Sequence, residues 1–140
     1  MLTEASDELE AIEGLDRLSP EVMDLRCDLY LAARNWELLL AVSRELIRAR
    51  PSDEKGWIQT GRALRELHRV PEARAVVTEA VHLHAGCARL HYQLASYYCL
   101  LGDLALARER LRRACQLDPE LKMKALDDPD LRALWGQAAP

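Results

Sequence analysis

Any chemistry in this chain must come from a small set of side chains, because its 140 residues hold four histidines and four cysteines. His82 and His84 are two apart and point to different sides of a helix, so they make no ligand pair. Cys87 and His91 are four apart, which puts both on one helix face, with His84 near across the preceding turn. A structural zinc takes four good ligands and a nucleophilic thiolate takes a partnered base; this cluster supplies neither. Cys27, Cys87, Cys99 and Cys115 are far apart and form no CxxC pair, so reduced, mostly buried thiols are expected rather than a disulfide framework. The chain also lacks a Gly-rich phosphate loop, a GxSxG and an HExxH. These residues point to no catalytic group, no metal and no cofactor, and therefore away from an enzyme.

What remains is the chemistry of recognition. The net charge of -4 hides an asymmetry: residues 1–60 carry 13 acids and 7 bases, residues 61–118 carry 6 and 9, and the remainder 4 and 3. That balance makes the whole chain a poor nucleic-acid binder. The run "RERLRR", residues 108–113, is expected on the solvated outer side of a helix, with Arg108, Arg112 and a Glu109 to Arg113 pair, and is a weak pointer to an acidic partner. No stretch approaches the roughly eighteen uninterrupted apolar residues of a membrane span, and the start "MLTEASDELE" lacks the basic-then-apolar layout of a signal peptide. A soluble, cytoplasmic protein is the expectation.

The elements that must position these groups are helical. "LGDLALARERLRRACQLDP", residues 101–119, reads as one amphipathic helix with Leu104, Ala107, Leu111, Ala114 and Leu117 inward, two of the five small. Sliding the chain by 34 residues explains the small ones. Ala73 falls on Ala107 and Ala80 on Ala114, while Cys27, Gly61 and Ala95 share a third small position. Tyr30, Leu64 and Tyr98 share a large one three residues on. Pro51 and Pro119 lie two periods apart. Three copies follow, at residues 20–53, 54–87 and 88–121, each of two helices joined by a short turn: Arg34-Asn35, a segment ending in Val70-Pro71, and Gly102-Asp103. Asn35 and Asp103 are good N-caps and Pro71 suits a first turn. Between copies, Ser52 or Asp118 caps the next helix, and Gly86 ends the helix before it.

The pattern W-x2-L-G-x2-Y, then A-x3-F, then A and P, is that of the tetratricopeptide repeat, and this chain resembles it. The second copy matches through Trp57, Gly61, Ala73 and Ala80, the third through Leu94, Ala95, Tyr98, Gly102, Ala107, Leu111, Ala114 and Pro119. The first copy departs, with Arg26 and Cys27 where Leu-Gly is usual and Leu39 and Leu46 at the alanine positions. The resemblance implies an all-α fold, a right-handed superhelical solenoid of antiparallel helix pairs, as a single domain over residues 1–140. Residues 3–18 would be an N-terminal cap helix, 122–136 a C-terminal cap in two short pieces, and 137–140 a tail. Small residues would sit where paired helices cross, and Trp36 and Trp57 would both be interior.

The same resemblance implies a concave face lined by the first helices. It would carry Asp24, Leu25, Asp28 and Leu31, then Lys55, Ile58, Gln59, Arg62 and Arg65, then Arg89, Tyr92, Gln93, Ser96 and Cys99. Such a groove is acidic at first, basic in the middle, and polar with an exposed tyrosine last, a composition suited to a peptide segment of another protein. Relatives that bind chaperone C-termini resemble one another in a clamp of Lys, Asn and Arg; here Asp24 and Asp28 stand at the Lys and Asn positions and Gln59 at the second Asn, and two acids would repel a terminal carboxylate. The expectation is a protein-protein interaction module, a monomer or weak homodimer, with a structural or self-associating unit as the alternative.

Overall fold

A computed structural model describes residues 19–136, and every regular element among them is helical. The expected cap helix at 3–18 and the tail at 137–140 lie outside the described residues. The elements are α1 (Pro20–Ala33), α2 (Trp36–Ala49), α3 (Glu54–Glu66), α4 (Val70–Leu83), α5 (Ala88–Leu100), α6 (Leu104–Leu117), α7 (Leu121–Asp127), a 3-10 turn (Pro129–Leu131) and α8 (Arg132–Gly136). Pro20, Glu54 and Ala88 open α1, α3 and α5 at intervals of 34 residues, and Trp36, Val70 and Leu104 open α2, α4 and α6 at the same interval.

Local chemistry accounts for the helix ends. Ser19, Asn35 and Asp103 each accept a bond from the backbone N–H three residues on, which satisfies a donor that has no intrahelical partner. The cap of α3 is Asp53 rather than Ser52, its carboxylate accepting from Lys55 N at 3.0 Å. Asp118 accepts from Glu120 N, yet α7 begins at Leu121 without a side-chain cap. Gly86 does not end a helix: α4 stops at Leu83 with His84 as its C-cap. The left-handed residue occurs elsewhere and keeps the period, at Arg34 (φ 54°), His68 (φ 61°) and Gly102 (φ 88°). Only the last is the residue type that takes this conformation without strain.

Two compact units divide between Leu67 and His68. In the first, α2 packs against both α1 and α3. Cys27, Leu39, Leu46, Ala63 and Leu64 are buried in it. At Gly56 the two helices come close, because a Cβ there would lie 3.0 Å from Ile47 Cγ1 and 3.1 Å from Ile47 N. A buried polar link crosses beside it: Thr60 Oγ1 donates to Ser43 Oγ at 2.7 Å, and Ser43 Oγ donates to the Leu40 carbonyl. Trp57 is interior and its Nε1 donates to the Pro51 carbonyl at 3.0 Å. Trp36 is not interior; it opens α2 half-buried, with the Arg62 guanidinium 5.4 Å over its ring, an arrangement that uses the indole face without desolvating the cation.

In the second unit, α5 packs against α4 and α6, and the C-terminal pieces close over α5 and α6. Ala95, Ala107, Leu111 and Ala114 share one core cluster with Tyr92, Cys99, Leu121, Ala125, Leu131 and Leu134. Leu104 and Leu117 are half-buried at the two ends of α6. The small inward residues of α6 are therefore its most buried ones, and they let neighbouring backbones approach while leucines fill the space between. Replacing Ala95 or Ala114, both fully buried, with Leu should overpack the cluster and cost on the order of 1–3 kcal/mol. Gly102→Ala should cost roughly 1 kcal/mol through strain at positive φ. Thermal melts check both, and an unchanged midpoint in the alanine variants would place those residues at the surface.

Candidate functional site

The acidic stretch of α1 is partly neutralised by the chain itself. Asp24 and Asp28 lie one helical turn apart, and the Lys55 ammonium pairs with both, reaching Asp28 Oδ1 at 2.8 Å. Burial alone would lower the Lys55 pKa, but the hydrogen bonds to the two carboxylates outweigh it and hold the ammonium above its ordinary value. These three groups form a charged knot with one surplus negative charge, so a basic ligand group would have to compete with Lys55. Nearby on α3, Gln59 and Arg65 are half-buried, while Arg62 is exposed and lies 3.5 Å from Glu66.

In the second unit the expected sites separate. Arg89 is exposed and Gln93 half-buried, its amide donating to the Tyr97 hydroxyl. Tyr92 is not an exposed anchor: it is 6% exposed, and its hydroxyl donates to Asp128 Oδ2 at 2.7 Å. Lys124 lies 4.8 Å over its ring. Burial, then the Asp128 carboxylate, push the phenol well above its usual range. Ser96 is likewise buried, donating to the Tyr92 carbonyl, and Cys99 is buried. For Tyr92 and Cys99 the reason is the C-terminal segment, whose Leu131 and Leu134 join them in the core. Ile58 is buried too, in the first unit. Nothing in the spacing of α5 signals this cover, because the covering residues lie some 30–40 positions on; the one local sign is Asp128-Pro129, whose Asp caps the 3-10 turn and holds Tyr92 as well.

The cysteine and histidine cluster resolves into packing. Among the described residues no group of three metal-ligating side chains is brought together. Desolvation pushes the Cys27 thiol up to about 11 and raises Cys99 and Cys115, which disfavours the reactive thiolate. His91 is buried, its Nε2–H donating to the Ala85 carbonyl at 2.7 Å and its Nδ1 accepting from Arg110 at 3.4 Å. It repeats the Trp57 to Pro51 bond one period later. In "RERLRR", Glu109 turns to Arg110 at 3.7 Å instead of to Arg113.

Comparison with solved structures places this architecture. Over 85% of this chain and 68% of the other, MamA (MSR-1) superposes with a TM-score of 0.72 at 20% identity. The TPR2B-domain:pHsp70-complex of yeast Sti1 matches 86% of this chain and 98% of that one, with a TM-score of 0.71 at 22% identity. The TPR2AB-domain:pHSP90-complex of yeast Sti1 matches at a TM-score of 0.71 and 21% identity, covering 98% of this chain and 54% of that one. The fold is that of the tetratricopeptide-repeat solenoid. No family model matches the sequence, and no curated protein matches it. No helix among the described residues is long and apolar enough to cross a membrane.

His91 makes stability depend on pH. Burial, the largest effect, holds its pKa below the ordinary 6.5; the hydrogen bond to the Ala85 carbonyl opposes it, and the charges of Arg110 and then Arg113 lower the value further. Its neutral form thus contributes stability above the unfolded value of 6.5, and that contribution is lost as the pH falls through the lowered folded value. His91→Gln keeps an N–H donor for the carbonyl and removes the titration. The drop in melting temperature between about pH 7.5 and pH 5 should be smaller in this variant than in the parent chain.

Proposed function

We propose that this chain is a protein-interaction module that holds an extended or helical segment of a partner protein along the solvent-facing sides of its first helices. The observation that carries this reading is the likeness to the yeast Sti1 domains, whose structures are complexes with pHsp70 and pHSP90. Support within the chain comes from charged and amide side chains left accessible on α1, α3 and α5: the Asp24, Asp28 and Lys55 knot, then Gln59, Arg62 and Arg65, then Arg89 and Gln93. Arginines offer planar, bidentate pairing to carboxylates. The acidic surplus on α1 would take a basic group of the same segment, giving the ligand an orientation. Tyr92 and Ser96 take no part in this surface. The three 34-residue copies with their caps form one domain in this reading, which works in the cytoplasm with reduced thiols.

The test begins with affinity capture from the native cytosol and mass spectrometry, followed by binding assays with the captured partner. Arg62→Glu combined with Arg89→Glu should weaken that partner by at least about tenfold, since it reverses two exposed charges, and should lower the melting temperature only modestly, through the lost surface contacts of Arg62 with Trp36 and Glu66. Undiminished affinity in the double variant would move the site off the first helices.

A further inference from the structure

A second surface is lined by none of those residues. In the unit formed by α4 to α8, α4 and α6 flank α5, and the space between them is an open groove of about 660 Å³. Its α6 edge carries Arg110, Arg112 and Arg113, and its α4 edge carries His82. Leu94 and Tyr98 of α5 give it an apolar floor. Glu109 is the one acid among the described lining residues, so three guanidinium groups face one carboxylate.

The basic edge is held in place from below. Arg110 donates to His91 Nδ1 at 3.4 Å, and His91 is anchored through Nε2 to the Ala85 carbonyl at 2.7 Å. This geometry requires a neutral imidazole, so His91 presents Arg110 without adding charge or competing for an anion. Arg110 and Arg113 are three residues apart on one helix, and side chains at that spacing share a face. His82 Nδ1–H donates to the Thr78 carbonyl at 2.8 Å, so its neutral ring offers an acidic ligand no further donor and the arginines alone supply the pairing.

We propose that the groove between α4 and α6 is a separate docking site for an acidic segment of a partner protein. Carboxylates of that segment pair with Arg110 and Arg113, and a neighbouring apolar side chain rests on Leu94 and Tyr98. Charge complementarity selects acidic side chains, and the apolar floor selects a peptide over a free small anion. The volume is within the range that takes several side chains.

The test is an amide NMR titration of the full chain with the peptide Asp-Glu-Leu-Asp-Glu, with Lys-Lys-Leu-Lys-Lys as control. Saturable shifts at Val81, His82, Leu94, Tyr98 and Arg113 are expected for the acidic peptide alone. Arg112→Glu combined with Arg113→Glu should weaken it at least about tenfold while the rest of the spectrum stays folded; that pair leaves the Arg110 to His91 contact intact. Arg62→Glu with Arg89→Glu should leave this affinity unchanged. Absence of saturable shifts at millimolar peptide would overturn the proposal. So would shifts centred on Lys55 and Arg62, or groove shifts that grow with protein concentration without peptide, which would make a second copy the occupant.

Discussion

The structure depends on how closely its helix backbones can approach. Where α2 meets α3, a Cβ added at Gly56 would stand 3.0 Å from Ile47 Cγ1, 3.1 Å from Ile47 N and 3.3 Å from the Ser43 carbonyl oxygen, tight enough that the neighbouring helix would have to give way. Ala73, Ala80, Ala95, Ala107 and Ala114 are fully buried. Interiors pack at crystal-like density, so side-chain size at a crossing sets the distance between the helices. Leucines and tyrosines then fill the space between the crossings. The constraint recurs at the 34-residue period at Ala73 and Ala107, at Ala80 and Ala114, and at Cys27, Gly61 and Ala95.

Function follows from what the crossings leave over. Once one face of a helix is committed to packing, the opposite face is free to carry charge, and it does so in different ways along the chain. On α1 and α3 the charges meet each other, with Lys55 bridging Asp24 and Asp28. On α6 the balance is basic: three arginines line a groove with one glutamate, which pairs with Arg110. On α5 the free face is taken up by the C-terminal segment, and the Tyr92 hydroxyl that could have met a ligand instead donates to Asp128. The segment from Leu121 onward packs on α5 and α6 and covers that face.

Much of this was legible in the sequence because periodicity is a local property repeated. The 34-residue shift aligned the small residues, and they are buried; Asn35 and Asp103 read as caps because an N-cap needs only its own side chain and the next turn. The failures involve interactions between distant positions. Tyr92 looked exposed since nothing in α5 announces Leu131 or Asp128. Trp36 looked interior by residue type, whereas the Arg62 cation on its ring lies 26 positions on. The acid patch on α1 reads as available because nothing in its own spacing shows that Lys55, 27 positions after Asp28, pairs with both acids. The left-handed turns at Arg34 and His68 were hidden by residue type, since only Gly102 carries the usual sign of that conformation.

The close-approach constraint meets its most direct test at two glycines. Gly56 sits inside α3 against α2, while Gly86 lies in a turn where an added Cβ meets nothing within 4 Å. Helix propensity alone would make Gly56→Leu stabilising by nearly 1 kcal/mol, so the sign of the change separates the two accounts. Thermal unfolding of Gly56→Leu and Gly86→Leu, followed by circular dichroism beside the parent chain, should show a lowered midpoint for the first and a nearly unchanged midpoint for the second. A Gly56→Leu variant that melts at or above the parent temperature would contradict the claim that backbone approach at small residues holds this fold together.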